Sequence, residues 1–122
     1  MKTALIIEDN IDNTVLIQRL LLKAGYNAIT APTGREGIDM AISKRPDFIL
    51  LDIQLPDIEG TEVLKIIRQY EQCRSIPIIA VTSYAMAGDR ARLLSSGCDG
   101  YIEKPIDPLM VIEQIKSLVG GP

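Results

Sequence analysis

The stretch FILLD at residues 48–52 decides the fold, because four apolar residues stand in a row directly before a carboxylate. A short apolar run without alternation is typical of a strand that is buried on both faces of a parallel sheet. Pro56 and Gly60 in the following segment prevent the strand from continuing. Asp52 is therefore predicted to lie at the carboxyl edge of the sheet, where open α/β sheets bind their ligands.

Length and composition indicate one compact domain, predicted to span residues 1–122. The chain is 47% hydrophobic and 24% charged, which suits burial of about two-thirds of the unfolded surface. Its 13 basic residues are scattered and its net charge is −3, which argues against a nucleic-acid partner. No apolar run approaches the ~20 residues of a membrane span, and no signal peptide is recognisable, so we expect a cytoplasmic protein without membrane attachment.

Cysteine and histidine usage restricts the chemistry further. Cys73 and Cys98 are widely spaced and have no second pair, so both are expected to be reduced structural thiols. The chain contains no histidine. It therefore cannot use an imidazole as a base, a metal ligand or a phosphoryl donor.

Strand-like and helix-like segments alternate along the whole chain. The predicted strands are Thr3–Ile7, Tyr26–Thr30 as a short edge strand, Phe48–Asp52, Ile76–Thr82 and Tyr101–Lys104. The predicted helices are Ile11–Ala24, a helix that Thr33 begins and Pro46 ends, Thr61–Tyr70, Tyr84–Ser96 and Asp107–Val119. With the usual right-handed crossovers, this alternation predicts an α/β fold with a doubly wound parallel sheet.

Local signals mark several helix boundaries. Asp9 or Asn10 can cap the first helix, Thr33–Glu36 matches a capping box, and Asp107 can cap the last helix. The helix at residues 84–96 has the weakest apolar stripe, so we expect it to be the least firmly docked. The stripe of the first helix is predicted to comprise Ile11, Val15, Leu16, Leu20 and Leu22.

Polar residues stand at the ends of four predicted strands. They are Glu8 and Asp9 after the first, Asp52 on the third, Thr82 on the fourth and Lys104 on the fifth. Because the carboxyl ends of parallel strands meet at one edge, these side chains are expected to converge. Clustered carboxylates repel one another, and a hard divalent cation with oxygen ligands relieves that repulsion. Mg²⁺ is the natural candidate.

Each of these residues taken alone also has a purely structural interpretation. Asp9 could be a helix cap, Asp52 a turn residue and Thr82 a cap for the next helix. Lys104 could be a solvated surface charge, and Tyr101 an ordinary strand aromatic. The coincidence of all four strand ends favours a functional site.

The set Glu8-Asp9, Asp52, Thr82 and Lys104-Pro105 resembles the receiver domain of two-component response regulators, and the resemblance covers essentially the whole chain. The stretches DIQLP at 52–56 and TSYAMAGD at 82–89 further resemble free-standing regulators of the DivK type and receivers attached to hybrid histidine kinases. They do not separate these two subfamilies. The resemblance implies a flavodoxin-like five-stranded sheet in the order 2-1-3-4-5, flanked by five helices, and a cis Lys104-Pro105 peptide bond.

The resemblance also implies roles for the site residues. Asp9 and Asp52 are expected to bind Mg²⁺ directly, Glu8 through water, and Gln54 through its backbone carbonyl, with Mn²⁺ able to substitute. Asp52 is then the phosphoacceptor, which takes a phosphoryl group from a partner's phosphohistidine. Mg²⁺ and Lys104 are expected to neutralise the transferring oxygens.

Signal output is implied as well. Thr82 and Tyr101 are the expected switch pair, in which the hydroxyl bonds the phosphoryl oxygen and the aromatic ring turns inward. Gln54 and Tyr84 are expected to set the lifetime of the phosphorylated state. The implied partners are a histidine kinase or histidine phosphotransfer protein, and a downstream target protein that binds the face formed by residues 84–119. The chain would then be a signalling protein whose only chemistry is its own phosphorylation and dephosphorylation.

Three alternatives compete with this interpretation. A haloacid-dehalogenase-like phosphatase would need an Asp-x-Asp pair after the first strand, where the chain has EDNI at residues 8–11. A flavodoxin-like nucleotide-binding module would need a glycine-rich loop at the same place, which the sequence lacks. A receiver-like scaffold that binds partners without phosphorylation is the more serious alternative, although none of Asp9, Asp52, Thr82 and Lys104 is missing.

Overall fold

Five strands and five helices alternate along the chain in the computed structural model, which describes residues 1–83 and 87–122 and, for residues 87–90, the backbone only. The strands are β1 Thr3–Ile7, β2 Asn27–Ala31, β3 Phe48–Asp52, β4 Ile78–Thr82 and β5 Gly100–Glu103. The helices are α1 Ile11–Lys23, α2 Gly34–Lys44, α3 Gly60–Gln69, α4 Ala87–Ser95 and α5 Val111–Val119, with a 3₁₀ turn at Glu71–Cys73.

The strands form one parallel sheet in the order β2-β1-β3-β4-β5. This confirms both the predicted fold class and the order that the resemblance implied. β3 lies at the centre, where Leu51 is in register with Ile7 of β1 and with Ala80 of β4. β2 lies at one edge, as its short and loosely alternating sequence predicted.

Two hydrophobic cores cover the two faces of the sheet, and β3 contributes to both. Ile49 and Leu51 belong to the core under α2, α3 and α4, whereas Phe48 and Leu50 belong to the core under α1 and α5. Each of these side chains is at most 1% exposed. Full burial of a large apolar side chain stabilises a fold by about 1.5–3 kcal/mol, so this strand anchors both layers. The prediction of a doubly covered central strand is confirmed.

The apolar stripe predicted for α1 is wrong in part, since Leu20 packs against the core but Ile11 and Leu22 do not lie on the buried side. Ile11 is 77% exposed and Leu22 is 53% exposed, whereas Ile17 and Leu21, one turn apart, are buried. Apolar residues occupy most sides of this helix, so several stripes were compatible with its sequence. Packing against the sheet selected the side that carries Ile17 and Leu21.

Several predicted boundaries also need correction. α5 begins at Val111 rather than at Asp107. Asp107 instead holds the turn before the helix, because its carboxylate accepts a hydrogen bond from the Leu109 amide at 2.9 Å and its carbonyl accepts from Val111. Leu109 is 89% exposed, so this turn faces away from the core. The predicted start of α4, at residues 84–86, lies outside the described residues.

The helix caps follow the sequence signals more closely. Asn10, rather than Asp9, caps α1 by accepting a hydrogen bond from the Asn13 amide at 3.0 Å. Thr33 caps α2 by accepting from the Glu36 amide at 3.2 Å. Gly25 follows α1 with a positive φ of 97°, a conformation that suits glycine as a helix stop.

Cys73 and Cys98 are both buried and free, as predicted, and burial raises the pKa of each thiol. Among the helices in the described part of the chain, none has the length and apolar character needed to cross a membrane.

Candidate acidic site at the carboxyl edge of the sheet

The predicted site residues converge at the carboxyl edge of the sheet. Glu8 follows β1, Asp52 ends β3, Thr82 ends β4, and Lys104 follows β5. Glu8, Asp52 and Thr82 are all at most 4% exposed, whereas Asp9 is exposed. Buried polar groups of this kind are costly to keep without partners, so their contacts indicate how the site works.

Lys104 connects the two buried carboxylates. Its Nζ lies 3.2 Å from Asp52 Oδ2 and 3.4 Å from Glu8 Oε1. Burial by itself would lower the pKa of this ammonium group, but the attraction of Asp52 and then of Glu8 outweighs burial and the pKa is raised. The Lys104-Pro105 peptide bond is cis, as the resemblance implied. Lys104 therefore stays charged and directs its cation toward Asp52.

Glu8 is a buried carboxylate whose surroundings disfavour its charged form. Burial raises its pKa most, and the hydrogen bond with Asp52 and the repulsion from Asp52 raise it further. The Asn13 side-chain amide opposes this effect by donating to Glu8 Oε1 at 3.0 Å, and the Asp9 backbone amide donates to Oε2 at 3.1 Å. Asn13 had not been predicted from the sequence as a site residue. The available signal was its place in the first turn of α1, directly after the acidic pair.

Three carboxylates form a group that could hold a metal ion. One oxygen from each of Glu8, Asp9 and Asp52 lies within 4.8 Å of the others. The ammonium group of Lys104 alone does not balance three carboxylates, and hard divalent cations prefer oxygen ligands. The donor set therefore fits Mg²⁺.

Gln54 lies beside Asp52 and connects it to the neighbouring loop. Its backbone amide donates to Asp52 Oδ1 at 3.0 Å. Its side-chain carbonyl accepts a hydrogen bond from the Ser83 hydroxyl at 3.0 Å. The Gln54 amide therefore holds the Asp52 oxygen that Lys104 does not approach, and the sequence had not predicted either contact of Gln54.

Thr82 and Tyr101 share one face of the sheet. Alternation along β4 puts Thr82 on the same face as Ala80, which belongs to the core under α2, α3 and α4. Tyr101 is half-buried and packs against that same core. Tyr84, the other aromatic residue predicted for this region, lies outside the described residues.

Asp57 connects the loop between β3 and α3 to α2. Its Oδ1 accepts from the Gly34 amide at 2.8 Å, and its Oδ2 accepts from the Arg35 amide at 3.0 Å. These bonds, the one from Gly34 first, lower the pKa of the Asp57 carboxyl. The partners are more than 20 residues apart in sequence, so no local sequence pattern could predict this contact.

Comparisons with known proteins agree with the geometry. Residues 4–116 match the response regulator receiver domain family. The polar-differentiation response regulator DivK of Brucella anthropi is 45% identical over 119 residues, which cover 98% of this chain and 97% of DivK. The chemotaxis response regulator CheY4 of Vibrio cholerae superposes with a TM-score of 0.93 at 27% identity, covering 97% of this chain and 98% of CheY4.

A second solved structure bears on the acidic group. The receiver domain of the sensor histidine kinase PA1611 from Pseudomonas aeruginosa PAO1 superposes with a TM-score of 0.88 at 32% identity and covers 98% of each chain. That structure contains a magnesium ion coordinated in its active-site cleft.

Proposed function

This chain belongs to the response regulator receiver domain family of two-component signalling proteins, and we propose that it is a switch whose phosphoacceptor is Asp52. The observation that carries the proposal is the setting of that carboxylate. Asp52 is 2% exposed at the carboxyl edge of the central strand, with an ammonium group 3.2 Å from one oxygen and a backbone amide 3.0 Å from the other.

The proposed reaction is a phosphoryl transfer from a partner's phosphohistidine. A carboxylate oxygen of Asp52 attacks phosphorus, the P–N bond breaks as the O–P bond forms, and the imidazole leaves with the electron pair. Lys104 provides positive charge beside the attacking carboxylate, and Gln54 holds that carboxylate in one orientation. Because this chain has no histidine, the donor is a histidine kinase or a histidine phosphotransfer protein.

Magnesium is the proposed cofactor, and Mn²⁺ is expected to substitute. Glu8, Asp9 and Asp52 would hold the ion, Glu8 through water, and the Gln54 backbone carbonyl would be a further ligand. The close approach of the three carboxylates supports this assignment, as does the magnesium ion in the related PA1611 receiver domain. When bound, the ion supplies positive charge to the transferring phosphoryl oxygens.

Phosphorylation is proposed to change the face formed by residues 84–119, through Thr82 and Tyr101. A downstream target protein would then bind that face. Its described part exposes Leu94, Met110 and Leu118, which are 38–53% accessible. With Tyr101, these residues help to line a surface cleft of about 550 Å³. The cleft is also lined by the polar residues Glu103, Asp107 and Gln114, and exposed apolar side chains among polar ones beside the proposed switch residue suit a protein partner.

The test is phosphorylation by acetyl phosphate, read by intact mass with and without Mg²⁺. We expect one phosphoryl group on the wild type in the presence of Mg²⁺, and none on Asp52→Asn. Asp39→Asn removes an exposed carboxylate of α2 and is expected to be labelled like the wild type. Labelling of Asp52→Asn at the wild-type yield would contradict the proposal.

A further inference from the structure

We infer that Asp57 is a positioning residue for the phosphoacceptor site, because it clamps the β3–α3 loop to the start of α2 and so holds Gln54 against Asp52. The inference rests on the proposed function of Asp52 and its metal site. Asp57 does not belong to the acidic group itself. It acts through the loop that carries Gln54.

The clamp uses backbone amides that a helix cannot satisfy alone. The first amides of any helix have no partner within the helix. At the start of α2, Thr33 accepts the Glu36 amide, while Asp57 accepts the amides of Gly34 and Arg35 at 2.8 and 3.0 Å. Both oxygens of one carboxylate are therefore committed to a single helix end, where negative charge is favoured.

Close packing reinforces the clamp from the side of α2. A Cβ at Gly34 would lie 2.8 Å from Val63 Cγ2 and 3.3 Å from Asp57 Oδ1. The backbone of α2 therefore approaches α3 and the loop as closely as atoms allow. The absence of a side chain at residue 34 lets the Asp57 carboxylate reach both amides.

A short segment transmits the position of Asp57 to the site. Only Leu55 and Pro56 separate Asp57 from Gln54, and proline restricts the backbone of this segment. Leu55 is half-buried and packs against the core under α2, α3 and α4. The segment has little freedom, so releasing Asp57 is expected to loosen Gln54 and its hydrogen bond to Asp52.

The competing interpretation is that Asp57 is only a helix cap. A Thr33→Ala variant distinguishes this capping role from the positioning role. Thr33→Ala removes a cap from the same helix without removing a contact of the loop. A capping role alone predicts that Asp57→Ala and Thr33→Ala both lower stability and leave the acidic site unchanged. A positioning role predicts an additional effect on the site in Asp57→Ala only.

The experiment is an NMR titration with Mg²⁺, followed at the backbone amides of four proteins: wild type, Asp57→Ala, Asp57→Asn and Thr33→Ala. Asp57→Ala is expected to weaken Mg²⁺ binding about 3- to 10-fold. Loss of a residue that directly supports a metal ligand typically weakens metal affinity by about 10- to 100-fold, and Asp57 acts less directly. Asp57→Asn keeps one acceptor and should lose less. Thr33→Ala should bind Mg²⁺ like the wild type, while urea unfolding shows its lost stability.

Hydrogen exchange of the Gln54 amide without Mg²⁺ is the second measurement, and it does not depend on the metal. Faster exchange in Asp57→Ala, but not in Thr33→Ala, supports the inference. Wild-type exchange and wild-type Mg²⁺ affinity in Asp57→Ala would overturn it. If the wild type neither binds Mg²⁺ nor is labelled on Asp52, the proposed function fails, and the exchange rate of Gln54 still decides the role of Asp57.

Discussion

At the scale of single residues, Glu8 and Asp52 are two buried carboxylates that share one ammonium group. Both side chains are at most 3% exposed, and Lys104 Nζ lies within 3.4 Å of each. The raised pKa of Glu8 reflects the free energy needed to keep its carboxylate charged when it is buried beside Asp52. Perturbed charges of this kind cluster at functional sites, where stability is commonly lower than it could be.

We therefore expect Asp52→Asn to be more stable than the wild type in Mg²⁺-free buffer at pH 7, by about 0.5–2 kcal/mol. The amide keeps the acceptor for Gln54 but removes the repulsion from Glu8. When folding raises the pKa of an acid, the folded protein loses stability as the pH rises above the ordinary pKa of that acid, which is 4.5 for Glu8. The difference between the two proteins should therefore be larger at pH 7 than at pH 4.5.

Urea unfolding at both pH values measures this difference. Asp9→Asn changes an exposed carboxylate of the same group and should shift the free energy of unfolding by less than about 0.5 kcal/mol. A loss of stability in Asp52→Asn at pH 7 would show that its ion pair with Lys104 outweighs the repulsion.

Tyr84 is expected to prolong the phosphorylated state. It lies outside the described residues, so the prediction rests on its position two residues beyond Thr82, where a bulky ring would obstruct the attacking water. Tyr84→Ala should shorten the aspartyl-phosphate lifetime, followed as loss of the phosphorylated mass over time. Tyr70→Ala, at an exposed tyrosine after α3, should keep the wild-type lifetime. An equal or longer lifetime in Tyr84→Ala would contradict the prediction.

At the scale of elements, the junction of β3 and α3 leaves no room for a side chain at Gly60. A Cβ there would collide with Ile53 Cα and lie 2.7 Å from the Asp52 carbonyl oxygen. The Gly60 amide also donates to the Ile53 carbonyl at 2.9 Å. Both obstacles are backbone atoms of Asp52 and the residue after it, so they cannot move aside independently of the proposed phosphoacceptor.

Gly60→Ala is accordingly expected to lower the free energy of unfolding by about 1–3 kcal/mol, the usual cost of overpacking. Gly121→Ala is the matched control, because a Cβ at Gly121 would meet nothing within 4 Å. It should change stability by less than about 0.5 kcal/mol. Chemical denaturation of both variants measures the two effects, and equal stabilities would show that the junction relaxes easily.

At the scale of the whole molecule, the described side chains of α4, at residues 91–95, are mostly exposed. Leu93 is buried, but Leu94 is 48% exposed. After the helix, Arg68 of α3 donates to the Gly97 carbonyl at 3.1 Å and pairs with Asp99 at 2.9 Å. The other described side chains of α4, at residues 91, 92 and 95, are exposed, and an element with few buried contacts rearranges at low cost, so we expect α4 to respond readily to a change at Thr82.

We expect beryllofluoride, a phosphoryl mimic, to shift backbone NMR resonances across residues 84–119 as well as around Asp52. A ligand at Asp52 can favour one of two arrangements only through contacts that differ between them, with typical coupling free energies of about 1–3 kcal/mol. Tyr101→Ala should reduce the dependence of partner binding on phosphorylation. The amides at residues 27–29 in β2, the edge strand opposite β5, are the internal reference.

Two outcomes would show that the signal takes another route. One is that the large shifts remain within the loop after Asp52. The other is that Tyr101→Ala leaves partner affinity and its phosphorylation dependence unchanged.

The sequence by itself determined the features that depend on neighbouring residues. The apolar run of β3 specified a strand buried on both faces, and Thr33 and the pair Asp9 and Asn10 specified two helix starts, although the choice of Asn10 as the cap came from the structure. These signals are reliable because each interaction closes within a few residues. The polar strand ends predicted one shared edge, since parallel strands all end on the same side, and the resemblance to receiver domains supplied the strand order.

Only the tertiary structure decided which side of α1 is buried and which distant groups support the site. Ser83 on Gln54 and Asp57 on α2 are contacts between elements that lie more than 20 residues apart in the chain. Nothing near these residues in the sequence specifies such partners. Their positions follow from the packing of helices on both faces of the sheet, where the free energy depends on how neighbouring side chains fit together rather than on local pattern.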